Sequence, residues 1–458
     1  MTTKFDAIVI GAGQGGKPLA YAFADLGWKL AFIERAYLGG TCINTGCTPT
    51  KSMIASAQVA HYARDGARWG IRTTGVIVDM PAVIARKKTI VESFRHGIEK
   101  KVATIANIRY VQGQAQFTGP HQLDVNGETF ESEKIFIDTG GRPFVPKLDG
   151  LEGVPYLTNE TLMELEALPE HLLILGGGYI GLEFAQMYRR FGSRVTIIQN
   201  KDQILPNEDA DIAAELQKVI ESEGVVVRLN ANAIAVSRTR SGISVSIETK
   251  NGAEAVTGSH FLVATGRKPN TDELGLDRAG ITTDEHGIIK VNGRMETNVP
   301  GVWALGDVKG GPQFTHISYN DYQIIYGNLI EGKNLTIDHR FLPYAVFTDP
   351  QLGRVGITEK EARASGKKFK MGTFPATKVS RAIERGETAG LLKIIVDAET
   401  DKVLGASILC SEGGEIVQIL GTLIQANAPY TLLKQSVFIH PTMAEGFFGL
   451  LDAVKLVD

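Results

Sequence analysis

Cysteine is scarce. The 458 residues contain three, Cys42, Cys47 and Cys410, too few to staple a scaffold. The opening Met1–Asp6 runs straight into a strand pattern without a secretory apolar stretch, so the expected location is the reducing cytoplasm. A disulfide there is catalytic more often than structural. An excess of either charge is also missing: 48 Lys and Arg against 51 Asp and Glu leave a net charge of −3 and no basic footprint for nucleic acid. No uncharged apolar run is long enough to span a bilayer, so neither a membrane nor a nucleic acid is an expected partner. Aromatic residues make up only 7%, but hydrophobic residues reach 43%, enough to bury several ordinary cores. The length suggests about three domains. Glycine is plentiful, and 51 of them imply many tight turns and close backbone approaches.

Two of the cysteines share one segment, Gly39-Gly40-Thr41-Cys42-Ile43-Asn44-Thr45-Gly46-Cys47-Thr48-Pro49-Thr50-Lys51. It follows shortly after a dinucleotide-binding fingerprint. A nucleotide site beside a closable dithiol can move an electron pair between a cofactor and a disulfide. Thr48-Pro49 reads as a helix start, with Thr48 as cap and Pro49 at the first helical position. Cys47 then lies near a helix N-terminus, whose partial positive charge favours a thiolate. The spacing alone is equally compatible with two unrelated thiols; the surrounding motifs argue against that. Cys410, ending an apolar strand, reads as a small core residue.

The chain repeats itself. Ile8-Val9-Ile10 leads into Gly11-Ala12-Gly13-Gln14-Gly15-Gly16, then a helix, Gly27, and a strand ending at Glu34. Leu172 to Leu175 leads into Gly176-Gly177-Gly178-Tyr179-Ile180-Gly181, then a helix, Gly192, and a strand ending at Gln199. Without a gap, Gly11 falls on Gly176, Gly27 on Gly192 and Glu34 on Gln199. One fingerprint is a weak signal; two in register, each inside a βαβ unit, are strong. The glycines let backbone approach a pyrophosphate, and the helix N-terminus stabilises its charge. Glu34 stands where a ribose would lie, and its carboxylate accepts from both hydroxyls. Gln199 carries no charge and so does not repel a 2′-phosphate. With Lys201 close by, the reading favours NADPH over NADH, although no arginine offers a bidentate grip.

A second pair of repeats follows apolar strands: Thr139-Gly140-Gly141-Arg142-Pro143 and Thr265-Gly266-Arg267-Lys268-Pro269. They read as chain exits that bracket the second domain. Val302 to Ala304 then runs to Gly306-Asp307, where the aspartate either binds a polyol such as a ribityl chain or caps a helix. Beyond about Phe341 no fingerprint appears, and strand and helix patterns alternate as in an α+β domain built for association. Near the end stands Phe438-Ile439-His440-Pro441-Thr442-Met443-Ala444-Glu445. His440 is either structural or, oriented by Glu445, a carrier of protons for an attacking thiol.

These motifs, in this order and over essentially the whole chain, resemble the flavin-dependent pyridine nucleotide–disulfide oxidoreductases. The resemblance implies an α/β fold of two Rossmann-like dinucleotide-binding domains plus a C-terminal α+β dimerisation domain. Residues 1–147 with 268–338 would bind FAD, residues 148–267 would bind NAD(P), and residues 339–458 would form the interface. It implies that Gly11, Gly13, Gly16, Glu34 and Asp307 bind FAD and that Gly176, Gly178 and Gly181 bind NADPH or NADH. Gly40, Thr41, Thr139, Gly140, Gln199 and Gly266 would line the same cofactors. Cys42 would be the interchange thiol and Cys47 the thiol beside the flavin. Lys51 would approach the flavin and pair with Glu183, while Tyr179 would cover the flavin face until nicotinamide displaces it. His440 and Glu445 would enter the active site of the other subunit of a homodimer. No metal-ligand set is expected.

Electrons would pass from NAD(P)H through the Cys42–Cys47 disulfide to a disulfide, a metal ion or another small oxidant. Around the cysteines and over Gln313–Tyr322 the chain is most similar to mercuric-reductase-like proteins. It has neither a C-terminal cysteine pair nor an N-terminal Cys-x-x-Cys domain, which argues against Hg(II). Dihydrolipoamide dehydrogenase is the alternative enzyme, although Gln199 and Phe438 replace its usual glutamate and second histidine. A non-catalytic FAD and dithiol sensor is the alternative of another class. The intact set Cys42, Cys47, Lys51, Glu183, His440 and Glu445 favours turnover. His316 should fall near the flavin pyrimidine edge, with packing preferred to tuning.

Overall fold

A computed structural model describes residues 2–338 and 340–457. Met1, His339 and Asp458, at the expected outer limits of the first and third domains, lie outside them. In chain order the elements that position the site begin with Ala7–Ile10 (β1), Gly16–Asp25 (α1), Leu30–Glu34 (β2) and Cys47–Asp65 (α2). Met80–Thr104 (α3), Ile108–Gln112 (β3) and Ile135–Ile137 (β4) complete the first unit. His171–Leu175 (β5), Tyr179–Phe191 (α4), Arg194–Ile198 (β6), Ala210–Ser222 (α5), Val226–Arg228 (β7) and His260–Val263 (β8) form the second. Val302–Ala304 (β9), Thr315–Leu329 (α6), Pro343–Val346 (β10) and Gln351–Gly356 (β11) follow.

The strands of β1 and β5 are buried apolar runs, as central strands of a sheet covered on both faces must be. In α1 the buried residues Gly16, Leu19, Ala20, Phe23 and Ala24 recur at helical spacing, so one stripe faces the sheet. The two parallel sheets share the order of four strands and differ in the edge strand, which comes last in the chain in one and first in the other. Their orders are β9-β4-β1-β2-β3 and Tyr156–Leu157-β8-β5-β6-β7. In each, the strand before the glycines is central and the strand before the Thr-Gly exit lies beside it. The exits then meet: Gly141–Pro143 pairs antiparallel with Arg267–Pro269, in register Arg142 to Lys268.

The C-terminal region builds a six-stranded sheet that starts β10-β11-(Val403–Cys410)-(Leu391–Asp397). The helix Gly413–Gln425 covers it with Ile416, Val417, Leu420 and Leu423. Cys410 is fully buried in this core. No described helix is long and apolar enough to cross a membrane.

Candidate active site

A cavity of about 2020 Å³ runs from the first fingerprint, past the cysteines, to the second. Its walls include Gly13, Glu34, Thr41, Cys42, Cys47, Lys51, Thr139 and Asp307 at one end and Gly176, Gly178, Tyr179, Gln199 and Gly266 at the other. A smaller hollow of about 280 Å³, lined by Gly11, Glu34, Arg35, Gly113 and Ala115, extends the first end.

Two glycines of each fingerprint cannot carry side chains. Gly11 has φ +100°, and a Cβ there would stand 2.2 Å from the Asp138 carbonyl oxygen. A Cβ on Gly16 would stand 2.3 Å from the Gly11 oxygen. The second unit copies both approaches, Gly176 to the Ala264 oxygen at 2.4 Å and Gly181 to the Gly176 oxygen at 2.1 Å. Two such cradles at two helix N-termini, opening on one elongated cavity, fit two dinucleotides. Gly40, at φ +61°, presses the cysteine segment onto the first cradle, with Gly13 Cα 2.9 Å from where its Cβ would be. Glu34 Oε2 accepts from Ala12 N at 2.9 Å, and Oε1 from Ala36 N at 2.9 Å, so its carboxylate is oriented at the cavity wall.

The helix beyond the cysteines starts earlier than Thr48-Pro49 suggests. Gly46 occupies the capping position and Cys47 is the first helical residue. Gly46 has φ −125° and ψ −111°, and a Cβ on it would meet the Thr41 oxygen at 2.9 Å, so the cap falls two residues before Thr48. Pro49, third in the helix, gives up an N–H that has no intrahelical partner. Cys47 therefore sits directly at the helix terminus. Its Sγ lies 3.3 Å from the Thr315 hydroxyl, which opens α6, so two helix N-termini converge on it. Neither thiol is in a disulfide, and each shifts the titration of the other through the interaction between the two sulfurs. The interaction with Cys42 holds the Cys47 thiol down to about 6, with Thr315 and Lys51 helping against burial. Cys42 is pushed up by the same interaction and by burial. Cys47 is the thiolate of the pair.

Lys51 Nζ lies 2.6 Å from Glu183 Oε2 and 4.6 Å from the centre of the Phe347 ring. Glu183 is buried, and its second oxygen takes the Phe347 N–H at 2.9 Å. Tyr179 opens α4 and packs against Phe314. His316 stacks on Phe314 with centroids 5.5 Å apart and donates Nε2–H to the Pro343 oxygen at 2.6 Å. Asp307 does not cap the short turn it belongs to; its carboxylate faces the cavity with Arg267 Nε 3.6 Å away. Thr139 gives its hydroxyl to the Asn270 oxygen at 2.9 Å. Gln199 is turned into its own loop, donating to the Gln203 oxygen at 3.2 Å and accepting from Asn200 N at 3.0 Å.

His440 and Glu445 stand elsewhere. His440 Nδ1 is 3.0 Å from both Glu445 oxygens, which leaves Nε2 free, and Thr442 N–H holds the Glu445 carboxyl below its usual range. Neither residue lines the cavity of the same chain. The histidine is 68% exposed and follows Val437 and Ile439, themselves 97% and 79% exposed. Among the described residues, no group of three or more His, Cys, Asp or Glu side chains could hold a metal ion.

Asp138 was not evident as a site residue. Its buried carboxylate takes the Gly16 N–H at 2.7 Å, and its Oδ1 faces the Ser318 hydroxyl at 3.4 Å. The repeat held a signal, because Asp138 falls on Ala264, where the second unit needs only a methyl group. Burial pushes this carboxyl well above the usual range, and Asp307 and Asp321 add to the effect. Such a group penalises the folded state increasingly as pH rises above the unfolded carboxylate range. Asp138→Asn keeps an acceptor for Gly16 without the ionisation. The variant is expected to melt above the parent at about pH 8 and to lose that advantage toward about pH 4. Thermal melts of the flavin-loaded protein across this range check it.

Comparison with known proteins agrees with this architecture. The family described as "Pyridine nucleotide-disulphide oxidoreductase" matches residues 5–321, and its dimerisation domain matches residues 342–449. A probable pyridine nucleotide-disulfide oxidoreductase of Escherichia coli, RclA, is 40% identical over 99% of this chain and 100% of its own. A dihydrolipoyl dehydrogenase of Thermus scotoductus is 35% identical over 98% of this chain and 97% of its own. A mercuric reductase of Streptomyces lividans is likewise 35% identical, over 97% and 94%. A solved Cu(II) complex of RclA, described as an HOCl-induced flavoprotein disulfide reductase, superposes with a TM-score of 0.90 at 38% identity, covering 99% of this chain and 100% of that one.

Proposed function

This chain belongs to the pyridine nucleotide–disulphide oxidoreductases, and from that premise we propose that it uses NADPH to reduce small disulfides through Cys42 and Cys47. Bound FAD supplies the relay for an electron pair between the nicotinamide and the cysteines. The observation that carries the reading is the setting of Cys47: first residue of α2, beside Thr315, on the wall of the cavity that joins both fingerprints. There the chain holds one thiol as a thiolate facing the cofactor and leaves Cys42 to attack the acceptor. Exchange then proceeds by thiolate attack through a mixed disulfide. Lys51, braced by Glu183 and Phe347, places a cation at the same wall. Cu(II), present in the solved complex of the relative, is a second acceptor to assay.

The preference for NADPH rests on Gln199, which carries no charge to repel a 2′-phosphate, and on Lys201 beside it; both line the cavity. Anaerobic reduction with NADPH and then NADH tests both points. A long-wavelength thiolate-to-flavin absorption, formed faster with NADPH, is expected. Bleaching without that band would uncouple the cysteines from the cofactor.

The dimerisation domain supports a homodimer, and in our reading His440 and Glu445 serve the partner's cysteines. With Nδ1 turned to Glu445, Nε2 is free to take a proton from Cys42 and return it to the leaving thiol. His440→Ala is expected to lower disulfide reduction by roughly 10²- to 10⁴-fold. Co-expression with a Cys42→Ser chain should recover activity, because each hybrid dimer then holds one intact site. Inactive hybrids would mean that the histidine does not serve the partner's cysteines, and unchanged reduction by His440→Ala would place it outside the chemistry.

A further inference from the structure

Tyr179 does not stand alone over the cavity. Its ring packs, tilted, against both Phe314, at 6.2 Å, and Tyr344, at 5.6 Å. Tyr344 lies flat on Phe314, with centroids 5.1 Å apart and planes 9° apart, and donates its hydroxyl to Glu208 Oε1. Glu208 is 6% exposed, and its Oε2 is buried without a hydrogen-bond partner among the described residues.

The carboxyl cannot swing away, because its neighbour is bolted down. Asp209 accepts from Glu359 N at 2.8 Å and lies 3.6 Å from Arg354 Nη1 and 3.4 Å from Lys393 Nζ. Tyr344 and Arg354 are cross-strand partners on β10 and β11. Two consecutive acids thus meet two paired side chains of the C-terminal sheet. The loop that carries the acids is tied back to the second cradle, with Leu205 N donating to the Gly177 oxygen at 2.9 Å. Gln203 Nε2 donates to the Glu208 oxygen at 3.0 Å, and the Gln203 oxygen receives Gln199. A continuous set of contacts therefore joins the loop after β6 to the ring that packs against Tyr179.

We propose that Tyr344, anchored by Glu208, is a positioning residue that holds Tyr179 in place and so sets how readily the nicotinamide ring enters. The proposal rests on the reading of Tyr179 as the cover of the flavin face. Tyr179 leaves its place only by sliding off the stacked pair Phe314 and Tyr344. With its hydroxyl fixed to a clamped loop, Tyr344 cannot follow. Without that anchor the stack loosens, and displacement of Tyr179 becomes easier.

The test uses the flavin-loaded dimer and measures the dissociation constant of NADP⁺ by titration, beside the rate of flavin reduction by NADPH. Tyr344→Phe keeps the ring and removes the anchor. It is expected to tighten NADP⁺ binding about three- to tenfold, with the step from dithiol to disulfide acceptor unchanged. Glu208→Ala should do the same, the double variant no more than either alone, and Glu208→Gln, which keeps an acceptor, should return the affinity toward that of the parent. Unchanged NADP⁺ binding in Tyr344→Phe and Glu208→Ala, or an equal loss in the acceptor step, would overturn the proposal. Tyr179→Ala separates the two levels. If it changes affinity while Tyr344→Phe does not, only the anchor falls; if it changes nothing, the cover reading falls with it.

Discussion

Cys47→Ser is expected to abolish NADPH-driven disulfide reduction, by on the order of 10³-fold or more, while the protein still folds and retains flavin. The side chain sits at the cavity wall, and serine fits the same helix-terminal position. What is lost is the thiolate that Cys42 and Thr315 stabilise. The contrast is in the acceptor. A one-electron oxidant such as ferricyanide, which draws on the flavin, should still be reduced, whereas a disulfide should not. In the parent, the long-wavelength absorption of the reduced enzyme should titrate near pH 6, present above and fading below. Equal loss with both acceptors would mean that the substitution damaged the flavin site instead. Cys410 is the control. It is buried in the C-terminal core with its thiol pushed up to about 12, so its replacement should leave both reactions intact.

The largest loss of stability is expected from Lys393→Met. Lys393 is 1% exposed, and its ammonium lies 2.5 Å from Glu359 Oε2, 3.0 Å from Asp211 Oδ2 and 3.4 Å from Asp209 Oδ2. Two of those acids open α5 of the second nucleotide domain, and the lysine belongs to the C-terminal sheet. Removing the cation leaves carboxylates facing one another, and breaking such a buried group costs about 3–5 kcal/mol. A fall in melting temperature of about 5 °C or more is expected, against almost no change for Arg194→Ala. Arg194 pairs with Glu170 at the surface, 67% and 80% exposed. If both variants melt alike, the two domains are held by apolar packing rather than by this cluster.

How far the sequence could be read depended on the kind of constraint. Backbone constraints were legible. A glycine at φ +100° with a carbonyl 2.2 Å from its absent Cβ admits no other residue, and the repeat exposed the constraint twice. The shared order of four strands in the two parallel sheets follows from that repeat. The start of α2 lies two residues before the Thr48-Pro49 signal, because Thr-Pro is a strong local cap signal and the close approach of Gly46 to Thr41 cannot be seen locally. Side-chain partners from distant segments carried no local code. Thr315, 268 residues from Cys47, Asp138 beneath the first cradle, and Glu208 against Tyr344 became visible only in three dimensions. The sequence shows that Gln199 carries no charge, but not that its amide bonds within its own loop.

The exposure of Val437, His440 and Ile439 has a consequence for handling the protein. If the partner supplies the proton carrier, catalysis obeys mass action, and specific activity falls on dilution once chains separate. Recovery on reconcentration is then second order in protein. The separated chain presents apolar side chains to solvent, so prolonged dilution invites aggregation rather than a stable dormant monomer. Activity measured over a wide range of enzyme concentrations thus reports the strength of the subunit contact without any structural probe.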